Sequence, residues 1–406
     1  MKRKAFALVL LLGLSIPAMA AERFTLDQLR SLALSGNATL GAARADVDVS
    51  KADTLTARAY PNPEIEVSGG DRDARSPGLA PGSLASVTLS QRFDYPSQRD
   101  ARLRVAEAGV ASARSGAQAF EIDLLARLKQ AFFLVVRYES ELRAAREDLE
   151  LAQAIRNRVG VRVDTGEAAR YELIKADTEL LNAQKNADAA VLRISQAKAR
   201  LRALVGGGVP ADFEVDGVLA SELTLPPLDQ LRDTMLDTNP DMQRLKAEIE
   251  RSKQQLELEK LRRMPDVSLR LGYDRDPEYE ANKIGVAVTV PLFDRRQGPI
   301  AQAAAQGERT RMALEGRTFE LQQQLDAAYR QYELSRMQIT ALENGILREA
   351  EGALKVAEAA YKFGERGILD FLDAQRVFRA ARNELISARY ELINAVTEIE
   401  RLGALR

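Results

Sequence analysis

Two hydrophobic periods run along this chain, and each recurs about 200 residues later. In the last stretch the step is seven: Phe371, Phe378, Leu385, Leu392 and Ile399 form one row, and Ala374, Ala381, Ala388, Ala395 and Leu402 a second. Moving back 198 positions gives Leu173, Leu180, Ala187, Ile194, Leu201 and Ala176, Ala183, Ala190, Ala197, Leu204. A preceding segment keeps the same step, with Leu128, Val135, Leu142 and Leu149 beside Ala131, Tyr138, Ala145 and Ala152. Large residues alternating with alanine along a heptad seam suit closely approaching helices. The pattern predicts two antiparallel coiled-coil hairpins, over about 97–205 and 297–403. They turn at "VDTGEAARYE" (163–172) and "KFGERGILD" (362–370), where a glycine stands at each helix stop.

The second period is two. "PEIEVSGG" (63–70), "SLASVTLSQRF" (83–93), "PDVSLRLGY" (265–273) and "KIGVAVTVPLF" (283–293) alternate apolar and polar residues, which predicts two strand hairpins. Their length is that of membrane-barrel strands, with the apolar set toward lipid and the polar set toward a wet lumen. Half-buried hairpins of a soluble domain are the alternative. The joining stretches, "DRDARSPGLAPG" (71–82) and "DRDPEYEAN" (274–282), read as long polar outer loops. Tyr60, Phe93, Tyr95, Tyr273 and Phe293 lie near strand ends, as aromatic girdles do. Lipid tolerates no open sheet edge, so four strands must share a barrel with other copies, eight strands from two copies or twelve from three.

Both patterns belong to one duplication. "LDQLR" occurs at 26–30 and 228–232, Asn37 matches Asn239, Lys51 matches Lys253, and Pro63-Glu64-Ile65 matches Pro265-Asp266-Val267. The chain therefore divides into a first repeat (21–205), a linker (206–227) and a second repeat (228–406). Each repeat reads helix, strand, strand, helix, helix.

Composition narrows the chemistry. Among 406 residues there is no histidine, cysteine or tryptophan, and the formal net charge is −1. Without histidine and cysteine the usual metal ligands and the Ser-His-Asp triad are unavailable. No polybasic surface points to nucleic acid, and "VGGGVP" (205–210) lacks the Lys-Ser/Thr of a phosphate loop. No cofactor is expected. "MKRKAFALVLLLGLSIPAMA" has the basic start, apolar stretch and Ala-Met-Ala end of a secretory leader, with cleavage expected after Ala20. Its loss takes the net charge to −4, and no cysteine is available for a lipid anchor. The carboxylate pair Asp370 and Asp373 follows Arg366 at the second tip. With nothing to complete a reaction site, the pair reads as charge at a hairpin end rather than an enzyme centre. The bland alternative is that Asp370 caps the last helix and Asp373 is helped by its dipole.

The duplicated plan, "VPLFDRRQGPIAQA" (290–303) and "AAYKFGERGILDFLDAQRVFRAARNELISARYELINA" (359–395) resemble the TolC-type outer-membrane efflux channels, and "PLFDRRQG" is similar to the CzcC-type branch that partners heavy-metal cation pumps. The resemblance covers essentially the whole mature chain. It implies a mainly α protein with a membrane β-barrel part. As a homotrimer it forms a 12-stranded outer-membrane barrel, continued by a periplasmic α-helical coiled-coil tunnel. It also implies a passive duct docked to a periplasmic adaptor and an inner-membrane pump, in contact with outer-membrane lipid and not with nucleic acid. Carried over motif by motif, the periplasmic constriction falls on Tyr361, Arg366, Asp370 and Asp373. In the first repeat, Glu172 matches Asp370 and Lys175 matches Asp373. Thr165, Gly166, Glu167, Gly364 and Glu365 are candidates for adaptor contact, or residues of the turns alone. Two other readings stay open: a soluble periplasmic coiled-coil adaptor, and the same channel serving drug efflux or type I protein secretion.

Overall fold

The computed structural model describes residues 22–73, 78, 80–220 and 222–405. The leader and its cleavage site lie outside the described residues. In chain order the elements are β1 (Glu22–Phe24), α1 (Leu26–Gly36), α2 (Ala38–Arg58), β2 (Glu64–Arg72), β3 (Gly82–Phe93), α3 (Pro96–Asp164) and α4 (Arg170–Val205). The same order then returns as β4 (Phe213–Val215), α5 (Leu228–Thr238), α6 (Pro240–Leu261), β5 (Asp266–Arg275), β6 (Glu280–Thr289), α7 (Gln297–Ala341), α8 (Leu347–Lys362) and α9 (Ile368–Arg401). A single π-turn, Leu342–Ile346, joins α7 to α8. The two matched asparagines do matched work. Asn37 accepts a hydrogen bond from the Leu40 N–H and Asn239 one from the Met242 N–H, capping α2 and α6.

The chain forms two compact units that do not follow the repeat boundary: residues up to 36 with 131–219, and 37–130 with 220–406. In the first unit β1 pairs in parallel with β4, Arg23 opposite Glu214. Phe24 meets Phe213 edge to face, and α1 packs on α4. β4 lies inside the stretch that reads as a linker. Val209, Phe213, Val215 and Leu219 are buried there, so this stretch is a structural element rather than a tether. Its strands are three residues long, too short to show a period. On α4 the alanine row Ala176, Ala183, Ala190 and Ala197 is buried, as the heptads predict.

The second unit holds one sheet and the packed helices α6, α7, α8 and α9. All neighbours in the sheet order β2-β3-β5-β6 are antiparallel. The register sets Ile65, Leu89, Leu271 and Ile284 in one row across all four strands, with Val67, Val87 and Tyr273 in the next row on that face. Glu66, Thr88, Gly272 and Lys283 form a row of the opposite face. The apolar face is uncovered in a single copy: Val67 is 72% and Ile284 79% exposed. β2 and β6 are its open edges.

Two strand expectations need correction. β5 runs on to Arg275 and β6 begins at Glu280, so 276–279 is a tight turn and not a long loop. The Asp276 N–H donates to the Tyr279 carbonyl, and the Asp276 carboxylate accepts from the Glu278 N–H across Pro277. β6 also ends at Thr289, not 293, because Pro291 has no N–H to offer the ladder. On α9 the predicted rows hold, with Phe371, Leu385, Leu392, Ile399, Ala381, Ala388, Ala395 and Leu402 buried.

Candidate functional site

Both hairpin tips use one backbone solution. At the second tip Phe363 keeps a helical bond to the Ala359 carbonyl, and Gly364 then takes the left-handed conformation, φ 77°. The Gly364 N–H returns to Tyr361 O (3.2 Å) and the Glu365 N–H to Ala360 O (2.9 Å). At the first tip Gly166 (φ 80°) donates to Val163 O (3.1 Å) and Glu167 to Arg162 O (2.8 Å). This paired closure satisfies the last free carbonyls of each outgoing helix, and only glycine takes the left-handed position at little cost. Thr165, Gly166, Glu167, Gly364 and Glu365 are thereby presented as exposed turn residues.

The side chains then diverge. α9 opens at Ile368 with Gly367 in the cap position and no side-chain cap bond. Asp370 therefore does not cap the helix. It sits inside the first turn, where the helix dipole favours a carboxylate. Asp370 and Asp373 are exposed neighbours, and each faces an arginine of its own segment: Arg366 to Asp370 at 3.4 Å, Arg376 to Asp373 at 3.5 Å. Pairs this exposed hold little energy, and the carboxylates remain open to solvent. Tyr361 is different from the expectation of a pore-lining group. It is 1% exposed in this chain, with its ring 6.2 Å from that of Phe371, and so helps hold α8 to α9. Glu172 lies in the first turn of α4, half-buried, with Oε2 shielded and no hydrogen-bond partner for it among the described residues. Lys175 lies 5.6 Å over the Tyr171 ring.

Sequence reasoning missed two features. In the first unit a cleft of about 1140 Å³ is lined by Arg23, Glu139, Arg143, Lys198, Glu214 and Asp216 among others. Burial pushes the Glu139 carboxyl above its ordinary value, against the pull of Lys198. In the second unit Arg389 on α9 grips Glu343 in the π-turn, at 2.6 and 3.1 Å. The signal available for it was a step of five, Leu342 to Leu347, in a seam that otherwise moves by three and four. Among the described residues no group of carboxylates could hold a metal ion, and no helix is long and apolar enough to cross a membrane.

This geometry, an uncovered apolar sheet face beside long helical hairpins, can be set against known proteins. The chain is 28% identical over 388 residues to the cobalt-zinc-cadmium resistance protein CzcC of Cupriavidus metallidurans, covering 95% of this chain and 91% of that one. It is 27% identical over 309 residues to the nickel-cobalt-cadmium resistance protein NccC of Alcaligenes xylosoxydans xylosoxydans, covering 73% and 67%. Among solved structures it superposes on CusC with a TM-score of 0.80 at 20% identity, over 93% of this chain and 91% of CusC. The family described as "Outer membrane efflux protein" matches residues 29–207 and 231–403. The chain therefore belongs to the outer membrane efflux protein family, a family of channels and not of enzymes.

Proposed function

We propose that three copies of this chain form the outer-membrane exit duct of a tripartite efflux system, receiving cargo from a periplasmic adaptor and an inner-membrane pump. The observation that carries the reading is the four-stranded sheet, apolar and uncovered on one face, polar on the other, with β2 and β6 open. Four strands with free edges cannot sit in lipid, and three copies would close a twelve-stranded barrel. The duct is passive, its driving energy supplied by the inner-membrane pump. A leader cleaved after Ala20 would deliver the chain.

Threefold symmetry would gather Asp370 and Asp373 into a ring of about six carboxylates, a device that favours cations and repels anions in a pore. Arg366 would hold that mouth narrow, Tyr361 would keep α8 against α9 behind it, and Glu172 would contribute from the first tip. Thr165, Gly166, Glu167, Gly364 and Glu365 would meet the adaptor. Heavy-metal cations are the proposed cargo, on the likeness to proteins named for cobalt, zinc, cadmium and nickel resistance.

Detergent-extracted protein should behave as a trimer and conduct ions in planar bilayers at low conductance. Asp370→Ala with Asp373→Ala should raise conductance and weaken cation preference. Recovery as a soluble periplasmic monomer with no conductance would sink the proposal. Loss of host tolerance to drugs, or of protein secretion, with metal tolerance intact after deletion of the gene would overturn the cargo.

A further inference from the structure

The second hairpin's outgoing helix is broken where the first is not. α3 is α-helical without interruption from Pro96 to Asp164, whereas α7 gives way to the π-turn Leu342–Ile346 before α8. The reason can be read in the seam. From Leu321 onward the buried positions of α7 are Leu321, Leu325, Ala328, Tyr332, Ser335 and Ile339, continuing to Leu342 in the turn, in steps of four and three. The next seam residues are Leu347 and Ala350, then Leu354, Ala357 and Tyr361. One residue too many lies between Leu342 and Leu347, and a π-turn is the helical form that absorbs one. An unbroken α-helix would put Ile346, which is 52% exposed, and the exposed Glu349 on the seam instead.

Packing differs on the two sides of this turn. Toward the body, Tyr332, Ile339, Leu342, Leu385, Leu392 and Val396 form a buried cluster that reaches past the turn as far as Ala350. Toward the tip, α8 buries Ala350 and Tyr361. On α9 Gln375 is 1% exposed, and neither its amide nitrogen nor its oxygen finds a partner among the described residues. The matching position in the first hairpin, Asp177, bonds Arg156 at 2.8 Å. An ion pair joins α9 to the turn, Arg389 to Glu343, with side chains 33% and 31% exposed. The residues 198 positions earlier are Val191 and Ala145, which can form no such pair.

We propose that the π-turn Leu342–Ile346 is the pivot about which the Asp370–Asp373 tip bends, and that Glu343 and Arg389 are the positioning residues that latch it. A π-turn bends more readily than regular helix because its extra residue can pass along the chain while the seams on either side stay in register. Gly345 lowers the conformational barrier to that passage. The latch is half-open to water, so it is weak enough for a docking protein to release and specific enough to reset the tip afterwards. The proposal rests on the reading of the second tip as the mouth of the duct, and its test separates the two.

Hydrogen–deuterium exchange is measured on the full chain in detergent, comparing the unaltered protein, Glu343→Gln, and the reversed pair Glu343→Arg with Arg389→Glu. Glu343→Gln should speed exchange across 347–380 about fivefold, the effect of losing one partly exposed ion pair. Exchange over 310–341 and over the first tip, 150–175, should be unchanged, and the reversed pair should restore 347–380. Unchanged exchange in 347–380, an equal rise along 310–341, or no restoration by the reversed pair overturns the pivot. The same variants are then placed in planar bilayers. Raised conductance for Glu343→Gln supports pivot and mouth together. Faster exchange with unchanged conductance supports the pivot and removes the reading of the tip as the mouth.

Discussion

Asn239 holds two helix ends at once, and its removal gives a sharp measure of how firmly the base of α9 is anchored. Its side-chain oxygen caps α6 through the Met242 N–H at 3.1 Å, and its Nδ2 donates to the Leu402 carbonyl at 2.9 Å, where α9 ends. The residue is 3% exposed and Leu402 fully buried, so neither group left behind could turn to water. Losing the cap costs about 1 kcal/mol. Stranding a buried carbonyl costs about 1–3 kcal/mol more. Asn239→Ala should therefore lower local stability by about 3 kcal/mol, which is roughly a 100-fold rise in the opening equilibrium. Asn37 caps α2 in the same way, through the Leu40 N–H at 3.0 Å. Native-state hydrogen exchange over 236–250 and 395–405 reads the loss at Asn239. Unchanged exchange at 395–405 in Asn239→Ala, or a rise confined to 236–250, would refute the reasoning that this residue anchors both helix ends.

Two further outcomes can be checked alongside. Glu139 takes up a proton more readily in the folded state than at its ordinary value of 4.5, because burial penalises its charge. The stability this adds is fully present below that value and is lost as pH rises through the raised one. Glu139→Gln should flatten this part of the thermal-melting profile and raise the melting temperature near pH ~8, and parallel profiles would exclude the effect. On the sheet, Ile284→Arg places a charge on the apolar face and should cost about 2–4 kcal/mol of membrane insertion, whereas Glu66→Arg on the opposite face should be tolerated. Outer-membrane yield of assembled protein distinguishes them.

The sequence carried the large elements because each repeats one simple instruction. The seven-residue rows of α9 and the alanine row of α4 are buried where the spacing puts them. The two-residue period likewise sets Ile65 with Val67 on one face of β2 and Leu271 with Tyr273 on one face of β5, and the register then joins the two faces through β3. Gly166 and Gly364 marked both tips, since a left-handed residue leaves a glycine in the sequence. Features made by distant partners were not legible. β1 and β4 are three residues each and are joined across most of the first repeat, so neither shows a pattern alone. Tyr361 reads as a polar aromatic at a tip, and only its neighbour Phe371 reveals that it is buried. The π-turn hid because both sides of it are good heptads, offset by one residue.

The open edges of β2 and β6 have a consequence for how the protein is made. A newly exported chain can complete its helices with its own residues, because those backbone groups pair within each helix. It cannot complete its sheet. If that sheet formed early in water, it would offer two unpaired strand borders and an oily face to any passing chain, the usual recipe for aggregation. In the proposed three-copy duct, sheet formation is therefore best deferred until sister chains and lipid are at hand. The folding of that barrel and the assembly of the complex would then be one event, and the chain in transit a helical protein with an unfinished end.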